Sequence, residues 1–424
     1  MKSGEEPFYR RALTLLRAGP FRRYMVGSAI SDTGTWMQVM AQAWVVSSLT
    51  DKALVLGMVN FCAGIPTLLL TMIGGSFADK HDKRKILIAT QIVQICSAAT
   101  LGSLVLSGHL HIWHVLVLAA VLGSCVAFEM PALSALVPEL VTKDEIATAI
   151  ALDRSVFHGS RLVGPSLAGL FVGWWGAASA FFCNAGSFFA LIIAMLSLPP
   201  RVAGTAEEEE QRRSGFKDGL RYVRHDRTIL SMIMLIALTT IFVYPVFSVM
   251  LPLYVRNILH LGPDRLGFLM GTSAVGSLCG ALGLLSVAHR LRLKFMTGAS
   301  LLVAVALFAM SQSSSFYVTA ACMGTLAVGL SLNFGLAGTI VQERAPGPLR
   351  GRISAIFGLS FFGLMPIAGL LLPAASDWLG MRTTICIGAL CFGVGCVTVL
   401  TLAGRTVCDR PANAAPEPEV APVL

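Results

Sequence analysis

Apolar stretches of about 20 residues, separated by short polar breaks, follow one another from Tyr24 to Gly404. Each is long enough to cross a hydrocarbon layer of roughly 30 Å as a helix. The pattern predicts twelve spans, at 24–48, 53–78, 86–107, 113–137, 146–172, 177–198, 228–252, 266–288, 295–311, 316–341, 353–373 and 380–404. One long interruption divides them six and six. It holds Pro199, Pro200, the run Glu207 to Glu210 and a group of Lys and Arg. The expected architecture is therefore an all-α membrane protein: an N-terminal six-helix half (1–198), a cytoplasmic linker (199–227), a C-terminal six-helix half (228–404) and a cytoplasmic tail (405–424). Within the linker, Ser214 to Val223 has apolar residues at helical spacing, which predicts an amphipathic helix lying on the inner membrane surface.

Charge orients this pattern. Of the 32 Lys and Arg, only Lys52, Arg256, Arg265 and Arg382 fall on one side, and Arg154 and Arg161 fall within a span. The others sit in the alternate loops and termini, which places those segments in the cytoplasm. A multi-pass protein of the inner or plasma membrane with both termini inside is expected. The net charge of +9 does not point to nucleic acid, because the cations border apolar runs instead of forming a solvated face. Nine of the ten cysteines lie inside apolar runs and read as small buried hydrophobes. Met1 to Arg23 has no apolar core of signal-peptide type, so the first span is expected to direct its own insertion.

The first cytoplasmic break carries the sharpest motif. Gly74-Gly75-Ser76-Phe77-Ala78 closes the second span, and Asp79-Lys80-His81-Asp82-Lys83-Arg84-Lys85 follows at once. Small residues permit close helix approach, and the cations hold the turn on the inner side. The spacing G-x-x-x-D-[RK]-x-x-[RK]-[RK], carried by Gly75, Asp79, Lys80, Lys83 and Arg84, resembles motif A of the major facilitator superfamily. Asp82 stands where many members have a second glycine, as in the branch containing enterobactin-exporter-like and macrolide-efflux-like proteins.

A second motif lies in the fifth span. Ser160-Arg161-Leu162-Val163-Gly164-Pro165-Ser166-Leu167-Ala168-Gly169 resembles motif C, the antiporter signature of the same superfamily, with Ser160 and Ala168 replacing two glycines. Pro165 frees a backbone carbonyl, and its small neighbours let another helix pack on the bend. Offsetting the chain by 210 residues lays Leu56-Gly57 on Leu266-Gly267, Lys80 on Arg290 and Arg84 on Lys294, while Asp79 falls on His289. The second copy keeps the charge and loses the acid. Met130-Pro131, Val137-Pro138-Glu139 and Gln342-Glu343-Arg344 extend the likeness over nearly the whole chain. The resemblance implies paired halves with a substrate site between them near mid-bilayer.

Chemistry must come from the few polar groups inside spans, since an ionisable side chain at mid-bilayer costs about 2.5–3.5 kcal/mol. Asp32 lies roughly 12 Å into the first span at 1.5 Å per residue, with Trp36 on its face and Gln38 and Gln42 beyond. This span is expected to line the cavity. Glu129 near the inner end of the fourth span, and Asp153, Arg154 and Arg161 in the fifth, form an antiparallel neighbour pair in which Glu129 is expected to meet an arginine. The set Asp32, Trp36, Gln38, Gln42, Glu129, Asp153, Arg154 and Arg161 is the candidate site for proton coupling and substrate. Asn60, Gln91, Gln94, Asn184 and Asn333 are further neutral polar residues within spans.

His109, His111 and His114 have metal-like spacing without acidic or thiol companions, so a solvated loop is expected and no metal site. With no G-x-x-x-x-G-K-[ST] and no nucleophile motif, neither a cofactor nor enzymatic chemistry is expected. The expected function is secondary export of a small molecule, siderophore-like or drug-like, by proton antiport. An importer of the same fold is the alternative, followed by a non-transporting receptor or scaffold. The expected partners are the substrate, protons and lipid. Asp79 is expected to latch the outward-facing state by sitting at the inner start of the eleventh span, beside Arg352.

Overall fold

The computed structural model describes residues 8–17, 19–198, 216–284 and 286–408. The linker stretch 199–215, with Glu207 to Glu210, and the tail 409–424 lie outside the described residues. A short helix α1 (Phe8–Arg17) precedes α2 (Gly19–Leu49), α3 (Ala53–Lys80), α4 (Lys83–Leu106), α5 (Ile112–Glu139), α6 (Ile146–Trp175) and α7 (Ala177–Leu196). The amphipathic segment is α8 (Phe216–His225), followed by α9 (Arg227–Phe242), α10 (Leu251–Asn257), α11 (Pro263–Leu284), α12 (Arg292–Gln312), α13 (Phe316–Arg344), α14 (Arg350–Phe362), α15 (Met365–Leu379) and α16 (Met381–Cys408).

Ten segments are long and apolar enough to cross a membrane, taking α9 with α10, and α14 with α15, as single crossings. The other two long helices of the pattern, α2 and α6, are more polar, and with them the count agrees with the predicted twelve. Only 22% of the apolar stretch of α3 is buried within the protein, so its remaining surface must meet lipid. Exposed Trp113, Trp174, Trp175, Tyr317 and Trp378 gather at the bundle end opposite the α3–α4 hairpin. Such rings occupy a membrane interface.

Two spans differ from the continuous helices expected. Between α9 and α10 the chain makes a π-helical turn, Val246–Met250, flanked by Pro245 and Pro252. Between α14 and α15 it breaks just before Pro366. Proline lacks the N–H that would continue the ladder, so both crossings are discontinuous.

The internal repeat is visible in how helix ends are tied. Gly176 ends α6 with φ +79° and Gly380 ends α15 with φ +84°, left-handed conformations that favour glycine, and each starts the last helix of its half. Lys83, at the first hairpin, pairs with Glu139 at 2.8 Å, while Arg292 and His289, at the second, reach Glu343. Arg292, two residues before Lys294, therefore carries the repeated ion pair. Asp82 caps α4 by accepting from Arg84 N–H at 3.0 Å, and Arg84 donates to the Met195 carbonyl at 2.9 Å, fixing the hairpin to α7.

Candidate functional site

The two halves meet through α6 with α11, α3 with α15, and α2 with α10 and α11. These contacts concentrate toward the end away from the hairpin. A Cβ on Gly57 would stand 2.1 Å from the Gly369 carbonyl oxygen, and one on Gly267 would stand 2.5 Å from the Pro165 carbonyl oxygen. Backbones touch at both crossings. Arg256 donates to the Ser47 carbonyl and pairs with Asp51 at 3.3 Å on the same face. At the hairpin end α14 packs instead on α9, α13 and α15 of its own half and on α8 of the linker. Among the described residues the halves thus close at the far end, and no contact of comparable extent joins them toward the hairpin.

One tie at the closed end crosses between halves in an unexpected way. The first turn of α3 has no side-chain cap of its own, and Asp377 of α15 supplies one, accepting from Ala53 N–H at 2.7 Å and Leu54 N–H at 3.0 Å. A carboxylate at a helix start satisfies orphan donors and the positive dipole end. Losing such a cap costs about 0.5–2 kcal/mol, so Asp377→Ala is expected to shift the closed far end toward opening by roughly 2- to 30-fold. Pulsed spin-label distances between Lys52 and Trp378, substituted by labelled cysteines, would lengthen; an unchanged distribution would remove Asp377 from the closure.

Motif C lies at this closure. The Pro165 bend sets Gly169 against Pro263 and Gly267, and Ser166 against Gly271, while Gly164 fits over Trp36 of α2 and Ala168 is wholly buried. Motif A lies at the parted end. Asp79 and Lys80 form the last turn of α3. Gly74, not Gly75, makes the close helix contact expected there, with its Cβ position 2.2 Å from the Ala127 carbonyl oxygen, whereas Gly75 faces open space. Arg352 lies beside Gly219 of α8.

The acids face the interior of the first half. Asp32 accepts from Ser28 Oγ at 3.1 Å, one turn back on α2. Glu129 accepts from Gln91 Nε2 at 2.8 Å and Gln94 Nε2 at 2.5 Å, and Ser31 Oγ donates to Gln91 Oε1 at 3.4 Å. A polar chain therefore runs from Glu129 through α4 to the Ser28–Asp32 turn of α2. Asp153 accepts from Tyr24 Oη at 2.6 Å. The expected pairing of these carboxylates with Arg154 or Arg161 is absent among the described residues. α5 turns Glu129 toward α4, and position 153 lies toward α2, so the arginines of α6 point elsewhere.

Arg161 stands between the halves, 5.3 Å from the Trp36 ring centre and 5.9 Å from that of Phe247 in the π-helical turn. Phe157 meets Trp36 edge-on at 5.9 Å. Arg154 and His158 are exposed two turns and one turn nearer the hairpin, respectively. Gln38 is buried and accepts from Asn184 Nδ2 at 2.8 Å, away from the cleft, while Gln42 is half-buried. Of the other neutral residues, Asn333 donates to Ser300 Oγ at 3.1 Å inside the second half, and Asn60 donates to the Leu56 carbonyl. His111 N–H donates to His114 Nδ1 at 3.1 Å, capping α5.

Sequence reasoning missed Tyr24, Ser28, Asp377 and the aromatic π-turn. Asp377 had a signal, as the one acid of the last two crossings. Pro245 and Pro252 flagged the turn.

Two pseudo-repeated helical halves, discontinuous crossings and a charged cleft between the halves define a membrane transporter of major facilitator type. Residues 11–424 match the model of the transmembrane secretion effector family, MFS_3, and the chain belongs to that family. Among curated relatives, multidrug efflux pump Tap of Mycolicibacterium fortuitum is 23% identical over 386 residues, covering 88% of this chain and 93% of its own length. Macrolide efflux protein A of Streptococcus pyogenes is 21% identical over 388 residues, covering 88% and 95%. The fold matches the crystal structure of nucleoside transporter NupG with TM-score 0.68 at 12% identity, covering 91% of this chain and 99% of that one. It also matches an inward-facing, unoccupied bacterial homolog of the human lysosomal transporter Spinster with TM-score 0.70 at 14% identity, covering 97% and 100%.

Proposed function

We propose that the chain is a secondary active exporter of small organic molecules, driven by proton exchange on the acids of its first half. The observation that carries this reading is the set Asp32, Asp153 and Glu129, each hydrogen-bonded within helices that flank a cleft parted at one end. The cations of the α3–α4 hairpin assign that end to the cytoplasm, so the arrangement is inward-open. The relatives named as efflux pumps favour export. Substrate enters from the cytoplasm or inner leaflet, the acids exchange protons, and the halves rock about the cleft. The test is efflux of a panel of dyes and siderophores from cells expressing the chain, with and without a collapsed proton gradient. Gradient-dependent efflux of at least one compound supports the reading, and gradient-independent equilibration of all of them removes it.

In the outward-open state, Asp79 would reach the start of α14, which has no side-chain cap of its own here. A carboxylate there contributes about 0.3–1 kcal/mol, so Asp79→Asn is expected to lower the outward-open population roughly two- to fivefold. Paired-cysteine accessibility at the two ends reads the balance; no change in it would sink the latch.

A further inference from the structure

The cleft has a sign, and the sign selects the cargo. Along α6, Arg154, His158, Arg161, Pro165 and Gly169 fall within about a quarter-turn of one another at 3.6 residues per turn. Pro165 and Gly169 lie against α11, so this face of α6 is turned to the opposite half along its length. Where the halves have parted, the same face exposes Arg154 and His158, and Arg161 stands at the point where they begin to meet.

No carboxylate answers Arg161 among the described residues. Asp153 is held by Tyr24, Asp32 by Ser28 and Glu129 by two glutamines, all toward the interior of the first half. A guanidinium deep in a membrane protein is costly unless it is paired. Here its neighbours are the rings of Trp36 and Phe247, with Phe157 edge-on to Trp36 and Tyr244 within electrostatic reach. Rings satisfy a guanidinium face and leave its N–H edge, which fits a carboxylate or phosphate bidentately. Phe247 sits on a π-helical turn, a strained and rare conformation found often at functional sites.

We infer that the cleft binds amphipathic organic anions, a negatively charged group on the Arg161 edge with a planar ring lying among Trp36, Phe157 and Phe247, and Arg154 forming the entry. This rests on the cleft being the transport site, and it adds the cargo's charge.

Two planar xanthene dyes of opposite charge test it: fluorescein, an anion, and rhodamine 6G, a cation. Fluorescence anisotropy of each is titrated with purified protein in lipid nanodiscs. Fluorescein is expected to bind at least tenfold tighter than rhodamine 6G. Arg161→Gln should weaken fluorescein tenfold or more without weakening rhodamine 6G, and Arg161→Lys should recover part of the loss. Tighter binding of rhodamine 6G, or an Arg161→Gln variant with unchanged fluorescein affinity, overturns the inference. Should Arg161→Gln fail to fold, the unfolding midpoint of the wild-type protein decides: it rises with fluorescein and not with rhodamine 6G if the inference holds, and the reverse defeats it. Dye movement in proteoliposomes is read separately. Export of rhodamine 6G without fluorescein binding keeps the transporter and loses the anion site; Arg161-dependent fluorescein binding without movement of either dye does the opposite.

Discussion

Asp32→Asn is expected to yield a folded, membrane-inserted protein that no longer drives efflux uphill. Asparagine has the shape of aspartate, and its amide oxygen still accepts from Ser28 Oγ. Packing of α2 against α6 and α7 is untouched, and the cost of an ionisable group within the bilayer disappears. What is lost is the carboxylate to which the proposed mechanism gives the proton, on the α2 face shared with Trp36. Loss of gradient-driven accumulation should be complete, while downhill movement of substrate persists. Counterflow in proteoliposomes separates the two. If uphill efflux survives in Asp32→Asn and disappears in Glu129→Gln, the proton resides on Glu129, and the Ser31–Gln91 link to α2 becomes the coupling route.

Gly57→Ala should disturb the conformational balance more than any other single methyl group. Its Cβ would stand 2.1 Å from a backbone carbonyl oxygen of α15, which no rotamer change can relieve. Overpacking of this kind costs about 1–3 kcal/mol, equivalent to roughly 5- to 150-fold in the closed population of the far end. Accessibility of cysteines placed near that end should rise accordingly, and transport should fall because the far end is no longer held closed. Gly75→Ala is the internal control. With open space around its Cβ, it leaves the inward-open state intact. Equal effects of the two substitutions on far-end accessibility would contradict a closure made of touching backbones.

Much of the architecture was legible because lipid imposes a strong rule: every crossing must be helical and apolar, and every short cytoplasmic turn attracts cations. Hence the hairpin at Asp79 to Lys85, the amphipathic α8 and the repeated cations of the second hairpin could be anticipated in kind, whereas their ion pairs to Glu139 and Glu343 were not. The candidate site was legible as a list and not as a set of partners. A sequence places Glu129 and Arg161 on neighbouring helices, but the rotation of α5 about its axis decides whether the carboxylate meets an arginine or the amides of Gln91 and Gln94. Rotation likewise turns Gln38 to Asn184 while Trp36, two residues earlier, faces the cleft. Asp377 was hidden for another reason. Its partners are backbone N–H groups on α3, and backbone donors leave no mark in a sequence.

The two helices that fall short of the apolar standard for a crossing, α2 and α6, are those that carry Asp32, Asp153, Arg154 and Arg161. During biosynthesis each helix is offered to the lipid before its final neighbours exist, and a central charge adds about 2.5–3.5 kcal/mol against partitioning. α2 and α6 therefore depend on α3 and α7, which are strongly apolar, to be retained as hairpin partners. Neutralising Asp32 or Arg161 should raise the amount of protein delivered to the membrane even as it removes activity. On the proposed mechanism, expression yield and transport are thus opposed in this chain, and a screen that selects only for abundance would erode the charged side chains of α2 and α6.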